Sequence, residues 1–550
     1  MLESFFDSYY RLRPVSATFT GIHHHDHCLP DWSPEGIASA VDEMRSLRRS
    51  LAASQNADDS LTGVPARDRE LALAFLDVDI AEHESGHFQR SNPSLATGES
   101  IFAIIALMTG RFGAPAERID AAMARLTAIP VFLAGARRSL QRGVPDEWRL
   151  RCLRECDGAE RLLQDGVPRW AALESLPDER AALLVGAADR ARAAFHDWRR
   201  WLEQEAGPAT DDRYACGPDL FDLMLSRGHW CHRSRGSLLA EATSALDEAL
   251  ARLDERSRRV APGGWPEVQQ RLLDAYPPAD DYLSAYGRVW QACRERAEAF
   301  DLVTWPDAPV RFVPIPLHTR AAAPYLYYLF YRSPAPFDGL PVHEHVVPPV
   351  EPDMAPDDQL ARLRATNTSV ITLNHVVHHA SIGHHVQNHY AYRGDSDVGR
   401  VAAVDGASRI GMIQGGTMAE GWACYATDLM DEVGFFTPEQ SIAQQHTRAR
   451  LLARAVVDIG LHERSMTIND AVAVYRDRVG MTPAAARAEA CKNSMFPATA
   501  IMYWLGIEGL HQLRRERQRV EGALFSLRRF HDRVLSFGSI PVLLIAQVYG

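Results

Sequence analysis

Apolar residues recur at three- and four-residue spacing through stretches as long as Ala181 to Leu202. That pattern limits the fold more than any other feature, because only a helix, turning about 100° per residue, gathers such a stripe onto one face. The same spacing runs through 71–80, 116–129 and 238–253, with Ala, Arg and Glu in or beside each stretch. Helix starts are written in as well. Ser33-Pro34-Glu35, Thr437-Pro438-Glu439 and Thr482-Pro483 each set a capping hydroxyl before a proline, whose missing N–H costs nothing at the first helical position. The expectation is a mainly α, large helical protein.

One region breaks the pattern. Val310-Arg311-Phe312-Val313-Pro314 and the run from Tyr325 to Phe330 have the β-branched and aromatic content of short strands, a small β-element near 310–331. Prolines 314 and 316 place the first at a sheet edge. The stretch from Pro334 to Pro356 holds seven prolines and few helix formers, which predicts an ordered loop on the surface or over a cleft. A soft boundary near Gly207 to Gly217 divides an N-terminal helical lobe, 1–210, from a C-terminal lobe, 211–550, that carries the chemistry.

Composition narrows the function classes. A chain of 550 residues, 46% hydrophobic and 24% charged, can bury a large core. Its net charge of -12 gives no footprint for nucleic acid or anionic lipid, and Arg514-Arg515-Glu516-Arg517 reads as a solvated helix face. The first residues lack the basic and apolar regions of an export signal, and no stretch approaches the 18 apolar residues of a membrane span, so a cytoplasmic protein without a membrane partner is expected. Eight scattered cysteines, with Cys152 and Cys156 one helical turn apart, read as reduced thiols. Lys492 is the single lysine, a weak pointer to a site. Phosphate loops, dinucleotide fingerprints and serine-nucleophile elbows do not occur in the sequence, which disfavours nucleotide enzymes and serine hydrolases.

The chemistry concentrates after Thr372. His375, His378, His379, His384, His385 and His389 fall within fifteen residues and make up six of the 22 histidines. On a regular helix His378 and His385 share a face, as do His375 with His379 and His385 with His389. Two imidazoles on one face suit a zinc or iron ion that both nitrogens must reach at about 2.0–2.1 Å. A bulge at Gly383 would bring His384 onto the face of His378 instead, and the choice between His384 and His385 stays open. Glu420, in Met418-Ala419-Glu420-Gly421-Trp422-Ala423-Cys424-Tyr425, follows Gly415 and Gly416 and can supply a carboxylate from a second helix. His23-His24-His25-Asp26-His27-Cys28 reads as a loop able to bind metal adventitiously, and His229-Trp230-Cys231-His232 as a helix end that packs its tryptophan.

At these residues the sequence resembles the bacterial proteins grouped as domain of unknown function 885, whose helical fold is similar to zinc oligopeptidases and carboxypeptidases. The family's His-Glu-x-x-Pro-Gly-His-His-x-Gln is matched by His378 to Gln387, and its Glu-Gly-Trp-Ala-x-Tyr by Glu420 to Tyr425. Val457-Asp458-Ile459-Gly460-Leu461-His462, Tyr503-Trp504-Leu505-Gly506, Phe530-His531-Asp532, Gly538-Ser539-Ile540-Pro541 and, near the start, Pro14 to Thr18 and Asp31-Trp32-Ser33 extend the likeness over nearly the whole chain. The resemblance implies a metallopeptidase-like fold with a cleft and one divalent metal, zinc before iron or copper. His378, His384, His385 and Glu420 are the candidate ligands, with Tyr503 or His462 polarising a substrate carbonyl.

The departures fall at the site. The family's catalytic glutamate is His379 here, its proline is Ile382, and its Arg-Tyr-x-x-x-Pro-Gly-Gln becomes Lys492-Asn493-Ser494-Met495-Phe496-Pro497-Ala498-Thr499. Three readings follow, each for a small-molecule or short-peptide substrate. One is a metal-dependent hydrolase of an amide or peptide bond, weak because His379 must serve as base, with Tyr503, His462 and Lys492 as the other candidate catalytic residues. Another makes His379 a further ligand, giving a nitrogen-rich centre suited to redox or group-transfer tailoring of a metabolite. The last is a pseudoenzyme that binds without turnover.

Overall fold

The caps read from the sequence start the helices they should. Ser33 accepts the backbone N–H of Gly36 ahead of the helix Pro34–Ala53, and Thr482 accepts that of Ala485 ahead of Pro483–Met495. Thr437 and Gln440 exchange side-chain to backbone bonds in a capping box before Pro438–His462. The computed structural model describes residues 2–54, 60–141, 143–209, 212–326, 331–332, 335–339, 343–404 and 408–549. It is mainly α-helical with a small β-element.

All four apolar stretches lie inside longer helices, Val64–Glu84, Pro115–Ser139, Asp178–Gln204 and Arg235–Val260. The second continues through Pro130, where the sequence pattern breaks off, because tertiary packing compensates for one lost backbone bond. Pro115–Ser139 is the one helix among the described residues long and apolar enough to cross a membrane, yet it packs against Pro93–Thr109 and Asp178–Gln204. Its buried Arg125 donates to the carbonyls of Cys28, Ala103 and Pro14 and to the Thr18 hydroxyl, which fixes it as a core helix of this fold.

The sheet has three strands in the order β1-β3-β2: β1 is Val310–Pro314, β2 is Tyr331–Arg332 and β3 is His343–Val347. β1 runs parallel to β3 and occupies an edge, as its prolines require, and β2 pairs antiparallel on the other side. Central β3 corrects the reading of 334–356 as loop. Its residues are all buried, and Glu344 is paired with Arg111 and Arg311, so a His-Glu-His sequence with no alternation still makes a strand. Of the strand expected over 325–330, Tyr325 instead ends the 3-10 turn Ala323–Tyr325, and 327–330 lie outside the described residues.

Two large apolar clusters form the core, one around Trp148, Trp170, Phe195 and Tyr475 and the other around Phe5, Phe75, Tyr286, Trp422 and Phe530. Each draws on residues from both sides of position 210. In the second half, Gly416–Glu432 lies against Ile501–Glu521 so closely that a Cβ on Gly421 would stand 2.6 Å from the Gly506 Cα, and one on Gly506 would stand 2.1 Å from the Thr417 carbonyl oxygen. Both glycines are therefore obligatory for this helix contact. It locks the element bearing Glu420 to the one bearing Tyr503.

Candidate metal centre

The histidines do not share one regular helix. Ile371–Ala380 is a π-helix carrying His375, His378 and His379; the chain then breaks at Ser381 to Gly383 and resumes as the α-helix His384–Ala391. Gly383 is forced by close approach, since a Cβ there would sit 1.9 Å from the His378 carbonyl oxygen. The carbonyls left open by the break are answered one by one. The Ser381 hydroxyl donates to Val376 and the Gly383 N–H to Val377, while the indole N–H of Trp290 reaches Ala380 and that of Trp422 reaches Ile382. Trp422 follows Glu420 by two residues, so the Glu-Gly-Trp segment ties the histidine turn to the carboxylate's own helix.

This break sends neighbouring histidines in opposite directions. His384 Nε2 lies 3.6 Å from Glu420 Oε2, and His378 Nε2 lies 3.4 Å from the same oxygen. One nitrogen from each of His378, His379 and His384 falls within 4.8 Å of the others. His385, the alternative left open by spacing, is fully buried elsewhere: its Nε2 donates to the Ala308 carbonyl at 3.0 Å and its ring packs edge-on against His343.

The residues present fit a metal ion. Bonds of about 2.0–2.1 Å around a tetrahedral ion put two ligand atoms roughly 3.3 Å apart, close to the separations at Glu420. Oε2 of Glu420 is buried and makes no hydrogen bond among the described residues, which is costly for a carboxylate unless a cation completes its shell. Nδ1 of His379 donates to the Asn374 carbonyl at 2.7 Å, which leaves the lone pair on Nε2. Burial holds His378 and His379 below the usual imidazole range, so both are neutral at pH 7. Burial alone would raise the Glu420 carboxyl, but His378 and His384 outweigh it and keep it ionised. Neutral imidazoles and an ionised carboxylate are the protonation states that ligands need.

Beside this centre opens a cavity of about 590 Å³ whose wall includes His384, Glu420, Lys492 and Tyr503. Burial lowers the affinity of the Lys492 amine for its proton, with Arg454 adding to the effect. Arg454 stands 5.0 Å from the Tyr503 ring centre while its guanidinium grips Glu489 at 2.6 and 2.8 Å.

His462 corrects the sequence reading. It is fully buried and absent from the cavity wall, its Nδ1 accepts the Cys216 N–H, and its Nε2 donates to the Asn493 carbonyl. With both nitrogens engaged it cannot polarise a substrate, so it positions the segment that follows Lys492. Asp458, one turn earlier, accepts the backbone N–H groups of Ala498, Ala500 and Ile501 and so fixes the start of the Tyr503 helix. Sequence reasoning missed His345, which hydrogen-bonds His375 at 2.9 Å beside the π-helix; nothing in a proline-rich stretch signals it. In the second histidine motif, the ring of His229 donates to the Ala498 carbonyl and the indole of Trp230 to Gln547.

A family model described as "Bacterial protein of unknown function (DUF885)" matches residues 14–548. The chain belongs to the DUF885 family. This DUF885 protein is similar in fold to two solved structures, each described as a "putative lipoprotein". One, of unknown function and from Shewanella oneidensis, is 20% identical, with a TM-score of 0.78 over 100% of this chain and 98% of that one. The other, from Colwellia psychrerythraea, is 16% identical, with a TM-score of 0.76 over 100% and 98%. No curated protein matches the sequence. Other motif residues of this DUF885 protein serve the scaffold. Gln387 donates to Ser539 and so braces the helix that carries His384, while Tyr425, on the helix that holds Glu420, pairs with His531 at 2.9 Å.

Proposed function

We propose that this DUF885 protein is a metal-dependent enzyme of the hydrolase type, acting on an amide or peptide bond of a small substrate held in the cavity beside that centre. The observation that carries this reading is the convergence of the His378, His379 and His384 nitrogens with the orphaned Glu420 oxygen at the cavity wall. A divalent ion there, zinc first, would act as a Lewis acid and make water a nucleophile near neutral pH. The chain's own residues do the rest. His378, His384 and Glu420 would hold the ion and leave its fourth position open for water. Tyr503 and Lys492, on the same wall, would hydrogen-bond the oxygen of a polarised carbonyl. His379, standing where the family has its glutamate, would have to serve as base, so turnover is slow.

The orientation of His379 favours a second reading. A third imidazole makes the centre richer in nitrogen and suits iron or copper, hence redox or group-transfer chemistry on a metabolite. Metal analysis of protein purified without added metal distinguishes the two, since zinc supports hydrolysis, iron or copper the alternative, and a metal content near zero after exposure to all three refutes both. His379→Glu tests hydrolysis directly: restoring the base is expected to raise cleavage across a broad panel of peptides by roughly 10²–10⁴-fold. Unchanged cleavage in the zinc-loaded variant counts against it.

The location belongs to the same proposal. The two solved structures described as a "putative lipoprotein" point to the cell envelope, whereas eight unpaired cysteines suit a reducing compartment. We favour the cytoplasm, and fractionation of the native host with an antibody decides it.

A further inference from the structure

Charges in the cavity wall are matched almost throughout. Arg13 is bound to Asp79, Arg409 to Glu82, Arg151 to Glu155 and Arg11 to Glu43, while Asp31 accepts the Ser33 N–H and Glu420 belongs to the metal centre. Glu99, on the helix Pro93–Thr109, is the exception. It lines the cavity and has neither hydrogen bond nor ion pair among the described residues. Arg13 and Arg125 act on it only from a distance, and both guanidinium groups are already engaged, one by Asp79 and the other by main-chain carbonyls.

Glu99 is half-buried at the cavity face, and a carboxylate partly withdrawn from water without a counter-charge points to a partner that arrives with the ligand. Burial pushes the Glu99 carboxyl up to about 7, the response of a group that lacks a cation. Space is left beside it: a Cβ on neighbouring Gly98 would meet nothing within 4 Å. Ser94 Oγ and Gln89 Oε1, atoms of other wall residues, are buried with no hydrogen bond among the described residues. Glu99 is thus an acceptor without a donor, and a primary ammonium brings three N–H donors and one positive charge.

We propose that Glu99 receives a positively charged nitrogen of the substrate, a primary ammonium, inside the chamber whose wall also carries Glu420 and His384. The inference rests on the reading of this cavity as the substrate chamber and names the chemical class it admits: amines whose scissile carbonyl is presented to the metal centre while the ammonium is held at Glu99.

The test uses the full chain, with its metal content measured, and calorimetry with n-pentylammonium, 1-pentanol and pentanoate at pH 8. Wild type is expected to bind n-pentylammonium about 10- to 100-fold more tightly than 1-pentanol, the worth of one charge-assisted hydrogen bond, and to reject pentanoate. Glu99→Gln is expected to erase that preference while melting at the same temperature or higher, since it removes the unpaired charge. Glu99→Asp, which retains the charge, is expected to keep part of it. Equal binding of amine and alcohol by wild type, binding of none of the three probes, or a preference undiminished in Glu99→Gln overturns the proposal. The metal reading fails separately, by a preparation that selects the amine yet holds no ion after exposure to zinc, iron and copper.

Discussion

Replacing His384 and His385 one at a time by alanine separates two residues that are adjacent in sequence and opposite in role. A metal present at a thousand times its Kd stabilises the folded chain by about 4 kcal/mol. Unfolding entropy of about 2 cal/mol/K per residue, over 550 residues, comes to roughly 1.2 kcal/mol/K, so saturating metal should raise Tm by about 3–4 °C if the chain melts as one unit. His384→Ala removes an Nε2 that stands 3.6 Å from Glu420 Oε2. Loss of a mere supporting hydrogen bond costs about 10–100-fold in metal affinity, and a ligand is worth at least the upper figure. At the same metal concentration that leaves about 1.4 kcal/mol, and the shift falls to about 1 °C. His385→Ala instead strips the Ala308 carbonyl of its donor in a fully buried setting, for about 1–3 kcal/mol. The metal-free protein should then melt about 1–3 °C lower, with its metal-induced shift intact. Scanning calorimetry with and without zinc reads both quantities. A shift that survives His384→Ala and vanishes in His385→Ala refutes the assigned geometry.

Three further outcomes are expected. Trp422→Phe takes the indole N–H from the Ile382 carbonyl and should weaken metal binding about 10–100-fold by competition titration, and an unchanged affinity would show that the turn needs no such support. Ala498 sits at φ 61°, where an L-residue loses about 1–2 kcal/mol and where the family's pattern has glycine. Ala498→Gly should therefore raise stability by about 0.5–1 kcal/mol after the more flexible unfolded chain is counted, and an unmoved denaturation midpoint argues against strain there. His23 lies between Asp26 and Asp338; burial opposes its charge, but the two carboxylates prevail and raise its pKa from 6.5 to about 9. Its contribution to stability is complete below pH 6.5 and is lost as pH rises through about 9, so the difference between wild type and His23→Gln should shrink over that interval. A difference independent of pH would mean that the ring is not charged in the folded state.

Much of the helical frame was legible because capping and amphipathic spacing are local: Ser33, Thr437 and Thr482 announce their helices without help from the rest of the chain. Glu420 was legible through Gly415 and Gly416 before it and through the Glu-Gly-Trp motif that the resemblance supplies. The direction of His384 was not, because π-helical bonding over Ile371–Ala380 and the break at Ser381 are dictated by Trp290 and Trp422, which arrive from distant segments. His462 looked catalytic because a buried imidazole and a reactive one share the same letters; only its partners, Cys216 and Asn493, tell them apart. Strand His343–Val347 was hidden by its polar residues, whose burial is offset by contacts no local pattern encodes. Glu99 carries no motif at all, and its importance emerges only when the charges around a shared space are matched.

The interlocked glycines of Gly416–Glu432 and Ile501–Glu521 bear on how such a site could work. With no side chain between them to compress, the two helices behave as one stiff body, and Glu420 and Tyr503 keep their spacing whatever enters the chamber. Adjustment during a reaction then falls to the opposite half, where unevenly wound backbone bearing His378 and His379 meets a hinge of serine, isoleucine and glycine.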